Sequence, residues 1–330
     1  MGEHYSSSGE PVPSPLIFNS SLISETKQIK FGTGVVSLPQ QHPGIIAGHA
    51  ALFDHLSKGR FIFGIGAGGL VSDWELFDNL DGKTRALTMI ETIDSIIKIW
   101  QTEGPLDFKG NYVNFKVKKN YVPELGIGTF IKPYQKPYPP IAVSLKNPNS
   151  MTAKFAGKNS WIPISGNFIP PHDIATHWPT YKIGAIENNK NPDPSIWRVG
   201  RSILITNNNE EAENIINDPN EIFTEYFLYL NTVSKLASGI KKDNLSLPSI
   251  RTESLEKAKN LIIIGNEKTV LDKLIEFIDI VGPFGTLLIT GHDMTKHKKL
   301  WTNTFTKMSE NIQPVLSNYI ANKISKQAAE

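Results

Sequence analysis

The 330-residue sequence contains no cysteine, has almost no excess of charge of one sign and lacks long apolar runs. Without cysteine the chain cannot form disulfides, thiolate metal sites or a cysteine nucleophile. The 34 Lys and Arg residues are balanced by 32 Asp and Glu residues, so no basic surface indicates nucleic-acid binding. Apolar runs such as residues 261–264 are too short to span a membrane, and the first residues lack a signal-peptide core. We therefore predict a soluble, cytoplasmic protein.

Residues 29–69 follow the strand, helix, strand succession that is typical of a parallel α/β protein. Residues 29–36 are apolar and β-branched and predict a strand, and residues 60–66 predict the next one. Between them, Pro43 suits the first turn of a helix that ends at Gly59. The predicted buried stripe of this helix consists of Ile45, Ile46, Ala50, Phe53 and Leu56.

The rest of the chain alternates in the same way, and we assign residues 1–330 to a single large domain. Periodicity predicts helices at residues 14–26, 84–100, 178–187 and 268–281 and from residue 297, where Pro314 should kink or break the helix. Strands are predicted at residues 140–144, 161–165, 199–206 and 285–290, and a hairpin at residues 104–117. Residues 207–260 have no clean β pattern and predict a helical insertion or a lid.

Many residues among the first 77 match the pattern of one known family. They are Gly2-Glu3-His4, Pro13-Ser14-Pro15-Leu16, Gly32-Thr33-Gly34-Val35, Leu38-Pro39, His42-Pro43, residues 54–61, Gly64-Ile65-Gly66 and residues 72–77. Through this string the chain resembles the luciferase-like flavin-dependent monooxygenases, the superfamily of bacterial luciferase, and within it the limonene and alkane monooxygenase branch. The resemblance implies an α/β fold, the (βα)8 TIM barrel, with chemistry at the carboxyl ends of the strands.

One departure from the family concerns the start of the sequence. In the family a first strand, a first helix and a second strand precede Gly-Glu-His, whereas here this motif follows Met1 directly. We therefore expect a barrel that is truncated at its amino terminus, without the first βα unit and most of the second strand.

The resemblance also implies an activity. The expected reaction uses reduced FMN and O2 to oxygenate a small apolar organic substrate, with the FMN supplied by a separate flavin reductase. A homo-oligomer, either a dimer or a tetramer, is expected. Two alternatives stay open: an oxidoreductase of the same superfamily that depends on the deazaflavin F420, and a non-catalytic or truncated subunit.

Two residues at the family motif are candidates for catalysis. His4 matches the family histidine that acts in proton transfer at the reacting edge of the flavin, and Glu3 stands beside it. The near-neutral pKa of an imidazole suits that role. Judged without the resemblance, a histidine at this position would be an ordinary surface residue.

The resemblance also assigns residues to the cofactor. Family members often have a cis peptide bond at the position of Gly34 and Val35, under the flavin ring. The alternative is that Gly32 and Gly34 only relieve crowding in the barrel. The family holds the flavin phosphate near Ser144, Ser150 and Thr152, where hydroxyls and a helix amino terminus suit an anion. An ordinary helix cap is the alternative for Ser150.

The segment after the strand at residues 60–66 is the last candidate region. Residues 64–69 satisfy the Rossmann pattern G-x-G-x-x-G, but acidic and aromatic side chains follow where a phosphate-binding helix should begin. Through the resemblance, Gly66 is a further residue expected to bind the flavin cofactor. We expect Asp73, Trp74 and Phe77 to line the mouth of the substrate site, with loop packing as the alternative. No metal site is predicted, because metal-ligand spacing with carboxylates is absent at four of the histidines, His172, His177, His292 and His297.

Overall fold

The computed structural model describes residues 1–79 and 81–329. It divides into two compact units, residues 1–144 and the residues from 145 onward. Both units contain helices and strands that pair in parallel. The predicted α/β class is therefore confirmed.

The first unit begins with a short helix and ends in a buried strand. Its elements in chain order are α1 (Pro15–Ser20), β1 (Phe31–Gly32), β2 (Val36–Ser37), α2 (Pro43–Leu56), β3 (Phe61–Gly66), α3 (Val71–Leu76), α4 (Gly82–Gln101), β4 (Leu106–Lys109), β5 (Asn114–Val117) and β6 (Ile141–Leu145), whose last residue belongs to the second unit. The strands β4 and β5 form the predicted antiparallel hairpin.

The strand predicted at residues 29–36 is interrupted. Both β1 and β2 pair in parallel with β3, which also pairs with β6. Gly32 lies opposite Ile62 and Val36 lies opposite Ile65, so residues 33–35 contain one residue more than the facing stretch of β3. An extra residue of this kind is a bulge, and it lifts the backbone at Gly34 and Val35 out of the ladder.

The helix α2 begins at Pro43 as predicted but ends at Leu56, three residues before Gly59, and its buried face differs from the predicted stripe. Ile45 and Leu56 are 52% and 51% exposed, so the stripe is wrong at both ends. The buried face consists of Ile46, Ala47, Ala50, Ala51, Phe53 and Asp54. Apolar residues occur on every side of this helix, so spacing alone could not select the face. The helix α2 packs against α4, and the Trp100 indole N–H of α4 donates to the Ala47 carbonyl at 3.0 Å.

The second unit contains most of the helices. Its elements are α5 (Met151–Asn159), β7 (Ile162–Ser165), α6 (Pro171–Ile174), α7 (His177–Ile186), β8 (Arg198–Arg201), β9 (Ile203–Ile205), α8 (Asn209–Asn217), α9 (Ile222–Ala237), α10 (Leu247–Leu261), β10 (Ile263–Gly265), α11 (Glu267–Val281), β11 (Thr286–Ile289), α12 (Lys298–Lys307) and α13 (Gln313–Ala329).

The strand predicted at residues 199–206 is divided at Ser202. Its first part, β8, pairs in parallel with β7 and β11, and its second part, β9, pairs with β10. The strand β10 was not predicted, because Ile263–Gly265 is too short to alternate in a recognisable way.

Helices α8, α9 and α10 occupy most of residues 207–260. Their buried side chains form one cluster with β9 and β10, in which Phe223, Phe227, Leu204 and Ile264 are at most 3% exposed. The last predicted helix is broken as expected. A π-helical turn, Met308–Ile312, precedes α13, and Pro314 lacks the N–H that would continue the α-helical ladder. Across residues 1–79 and 81–329, no helix combines the length and apolarity that a bilayer crossing requires.

Candidate active site

The first four residues run beside the bulge that follows β1. The Gly34 N–H donates to the Met1 carbonyl at 2.6 Å, and the Ser37 N–H donates to the Glu3 carboxylate at 2.8 Å. These two bonds hold the Gly-Glu-His motif next to Gly34. The structure therefore brings together the predicted catalytic residues and the first two predicted flavin residues.

Glu3 is a buried carboxyl group with a perturbed pKa. Its side chain is 4% exposed and accepts a further hydrogen bond from the Gln41 amide at 3.0 Å, and the same amide lies 2.8 Å from the Tyr5 hydroxyl. Burial raises the pKa of Glu3 to about 7, although the donors from Ser37, Tyr5 and Gln41 oppose this shift. Glu3 can therefore exchange a proton near neutral pH.

The His4 imidazole lies between two carboxylates. Its Nε2 is 3.1 Å from Glu10 Oε2, and its Nδ1 is 3.7 Å from Asp73 Oδ2. The His4 side chain is 22% exposed, so most of the ring is buried and the remainder is accessible to a ligand. An imidazole with acceptors on both sides can hold a proton at either nitrogen.

Asp73 is an anchor for the loop after His4. Its carboxylate is 1% exposed and accepts from the Tyr5 N–H, the Ser6 N–H and the Ser6 hydroxyl at 2.5 to 3.2 Å. These contacts correspond to the packing alternative given above. The loop predicted between β3 and α4 contains the short helix α3, which presents Asp73 in its first turn.

Trp74 lies on the same short helix, and Phe77 is the residue that caps its carboxyl end. The Arg85 guanidinium stacks on the Trp74 ring at 3.6 Å, and the Phe77 ring meets Tyr5 edge to face at 5.0 Å. Both side chains are partly exposed. Trp74 Nε1 is buried and, among the described residues, has no hydrogen-bond partner. Gly68, in the left-handed region at φ 83°, leaves space beside this nitrogen.

The Gly34–Val35 segment has an accessible backbone. Gly34 is exposed, and its peptide bond to Val35 is cis. Gly66 makes room for this geometry, because a Cβ there would come within 2.5 Å of a Val35 methyl group. A flat ligand can therefore approach the Gly34 backbone closely.

The predicted phosphate residues follow β6 or lie within it. Ser144 is a partly exposed residue of β6. In the second unit, Ser150 is the N-cap of α5 and Thr152 lies in its first turn, both partly exposed. The Ser150 hydroxyl makes no capping hydrogen bond, so the ordinary-cap alternative does not account for its side chain.

A polar chain at the carboxyl ends of β7, β8 and β11 was missed by sequence reasoning. The Tyr226 hydroxyl donates to Asn167, the Asn167 amide donates to Ser202, and Ser202 lies 2.8 Å from His292 Nε2. Burial lowers the pKa of His292 to about 4, so this ring is neutral at physiological pH. The four residues are far apart in sequence, and no short motif contains them.

Sequence reasoning also missed Tyr5, Gln41 and Glu10, which surround the predicted pair Glu3 and His4. Tyr5 and Glu10 stand close to His4 in sequence, which is the one signal that could have identified them. Metal-ligand geometry is not found: the described part of the chain contains no group of three His, Asp or Glu residues placed to hold an ion.

A family model described as luciferase-like monooxygenase matches residues 1–282. The chain belongs to this family. Among curated members, 4-hydroxyprotoasukamycin monooxygenase of Streptomyces nodosus subsp. asukaensis is 27% identical over 304 residues, covering 88% of this chain and 74% of its own length. Limonene 1,2-monooxygenase of Rhodococcus erythropolis is 27% identical over 295 residues, covering 88% and 70%.

A solved structure agrees with the family match. It is the oxygenating constituent of 3,6-diketocamphane monooxygenase from Pseudomonas putida in complex with FMN, described as a type II Baeyer-Villiger monooxygenase. The two folds superimpose with a TM-score of 0.77 at 23% identity, over 95% of this chain and 86% of the other. The similarity in fold extends over nearly the whole sequence.

Proposed function

We propose that the protein is a flavin-dependent monooxygenase that uses reduced FMN and O2 to oxygenate a small apolar organic substrate. The observation that carries this proposal is the His4 imidazole, which is flanked by Glu10 and Asp73 and lies on a segment bonded to the exposed Gly34 backbone. Membership of the luciferase-like monooxygenase family supports the same conclusion.

The residues of the first unit fit a flat cofactor. Gly34 and Val35 offer accessible backbone, and Gly66 leaves space where a side chain would push Val35 aside. Bound reduced FMN would supply the activation of O2. The chain itself would orient the ring, exclude water and hold a proton at Glu3 or His4. The hydroxyls of Ser144, Ser150 and Thr152 are proposed to bind the flavin phosphate.

The wider assembly is part of the proposal. We infer a single luciferase-like barrel domain over residues 1–330, from which residues 207–260 extend as a helical insertion or lid. A separate flavin reductase would supply the cofactor, and the protein would act as a dimer or tetramer. Asp73 would support the loop after His4, while Trp74 and Phe77, which are partly exposed, would contact the substrate.

The test combines binding with turnover. Photoreduced FMN is titrated into the protein without oxygen, and the complex is then mixed with 18O2 and a panel of cyclic monoterpenes. We expect saturable binding and products that contain one 18O atom. Binding without oxygen consumption, together with hydride transfer to or from F420, would favour the deazaflavin alternative. A protein that binds neither flavin would be a non-catalytic subunit.

A further inference from the structure

We propose that Glu10 is a positioning residue that keeps the proton of the neutral His4 imidazole on Nε2. The inference deepens the proposed function, because it concerns the same histidine. Glu10 stands outside the Gly-Glu-His motif, and only the folded loop brings its carboxylate to the ring.

The distances to the two ring nitrogens are unequal. His4 Nε2 is 3.1 Å from Glu10 Oε2, which is within hydrogen-bonding distance, whereas His4 Nδ1 is 3.7 Å from Asp73 Oδ2, which is beyond it. A neutral imidazole carries one N–H, and that proton is most stable where it meets the nearer carboxylate. Glu10 therefore selects the Nε2–H form over the Nδ1–H form.

The loop between the two residues is built to hold this contact. The His4 N–H donates to the Val12 carbonyl at 3.1 Å, which closes the loop. Within it, the Glu10 N–H donates to the Ser7 hydroxyl at 3.1 Å. These two bonds fix the backbone of the loop that carries Glu10, whose side chain is 43% exposed.

The nitrogen that Glu10 contacts is the one on the Gly34 side. A Cβ built on Gly2 would lie 3.3 Å from the Gly34 carbonyl and 3.9 Å from His4 Nε2, so these two atoms approach one common point. Asp73 Oδ2 lies at Nδ1, on the other side of the ring. The Nε2–H therefore points to Glu10, while the nitrogen that carries it lies at the edge of the ring nearer the Gly34 carbonyl.

Other charged and titratable groups around the ring do not reverse this preference. The Tyr5 hydroxyl and the Gln41 amide both hydrogen-bond to the Glu3 carboxyl, which also accepts from the Ser37 N–H. Asp73 accepts from the Ser6 N–H and hydroxyl through Oδ1, whereas its Oδ2, the oxygen nearer the ring, accepts from the Tyr5 N–H. Removing Glu10 would leave Asp73 as the nearest carboxylate, so the proton should move to Nδ1.

The test is a nitrogen NMR spectrum of protein labelled with 15N-histidine, recorded without flavin at a pH where the ring is neutral. His4→Gln assigns the His4 signals. We expect the proton on Nε2 in the parent protein, a roughly tenfold rise in the Nδ1–H population in Glu10→Ala, and little change in Glu10→Gln, whose amide oxygen still accepts. Glu124→Ala, at an exposed glutamate, is the matched control.

An unchanged ratio of the two forms in Glu10→Ala would overturn the proposal, and so would an equal change in both Glu10 variants. Turnover gives a second readout, in which Glu10→Ala lowers kcat about fivefold with an unchanged KM and Glu10→Gln restores most of it. The spectra need neither flavin nor substrate, so they test this inference independently of the proposed function. If the proposed function is wrong, the parent protein forms no product, whatever the spectra show.

Discussion

Two histidines in this protein have opposite surroundings. His4 is 22% exposed and lies between the carboxylates of Glu10 and Asp73. His177 is fully buried, accepts from the Ser165 hydroxyl at 2.8 Å through Nδ1 and donates to the Asn147 carbonyl at 2.9 Å through Nε2. A carbonyl can only accept, so the proton of His177 is fixed on Nε2.

The surroundings of His4 leave it able to react, whereas those of His177 make it a stabilising residue. Ser165 also accepts from the Trp197 indole at 2.9 Å, so every polar atom of that buried network has a partner. Burial lowers the pKa of His177, which keeps the ring neutral. The His4 loop instead combines partial exposure, three nearby carboxyl groups and an accessible glycine backbone. A buried network in which every polar atom is hydrogen-bonded stabilises the fold. A partly exposed cluster of charged groups can instead transfer protons.

The largest expected effect is on the buried network. His177→Ala removes a buried imidazole ring, which leaves a cavity, and it leaves the Ser165 hydroxyl and the Asn147 carbonyl without a partner. Together these losses should lower the free energy of unfolding by about 4 kcal/mol. Urea unfolding measures it. His172→Ala, at an exposed histidine, should stay within about 0.5 kcal/mol of the parent. Equal stabilities of the two variants would remove the distinction between the two kinds of histidine.

The next effect concerns the pH dependence of the His4 region. The folded-state pKa of Glu3 is about 7, raised from 4.5, so the folded protein binds this proton more tightly than the unfolded chain. The stabilisation that the folded protein gains from protonated Glu3 is complete below pH 4.5 and is lost as the pH rises through 7. The loss should reach roughly 3 kcal/mol.

Glu3→Gln imitates the protonated form and should lack this loss. Urea unfolding at several pH values between 5 and 8 compares the two proteins. The difference in unfolding free energy should widen with pH in favour of the glutamine variant. Parallel curves would contradict the raised pKa of Glu3.

A smaller effect is expected at the serine of the buried network. Ser165→Ala keeps the ring of His177 but leaves its Nδ1 and the Trp197 indole N–H without partners, at a cost of about 2 kcal/mol. Thermal unfolding measures the loss. If Ser165→Ala lost as much stability as His177→Ala, the stabilisation would come from the Ser165 hydroxyl and not from the packing of the His177 ring.

The sequence predicted the helix and strand succession well because each element carries a local signal. Ser14, the first residue of the helix predicted at residues 14–26, is the N-cap of α1 and accepts from the Ile17 N–H, and the hairpin β4–β5 forms as expected. The bulge at residues 33–35 was not predictable, because an extra residue has meaning only against the register of β3. The exposed Ile45 was mistaken for core for a related reason, since the packing partner decides which face is buried.

The candidate site was predictable only through its motif. Gly2-Glu3-His4 and Gly34-Val35 identified two segments that the fold joins by hydrogen bonds. The raised pKa of Glu3 depends on burial, and the contact between His4 and Glu10 depends on how the loop closes. Neither property is encoded in spacing. Asp73 illustrates the same limit. Its residue type suggested a place in the substrate site, whereas its burial shows that it anchors the loop after His4.

The most direct test of the account is how oxygen consumption is coupled to product formation in His4→Ala. The parent and the variant receive reduced FMN and the monoterpene that yields most product, and oxygen use, product and hydrogen peroxide are measured together. We expect reduced-FMN affinity to agree within about twofold, product formation to fall about 100-fold and the consumed oxygen to be released as hydrogen peroxide. Equal coupling in the two proteins would contradict the assignment of His4 to the reaction.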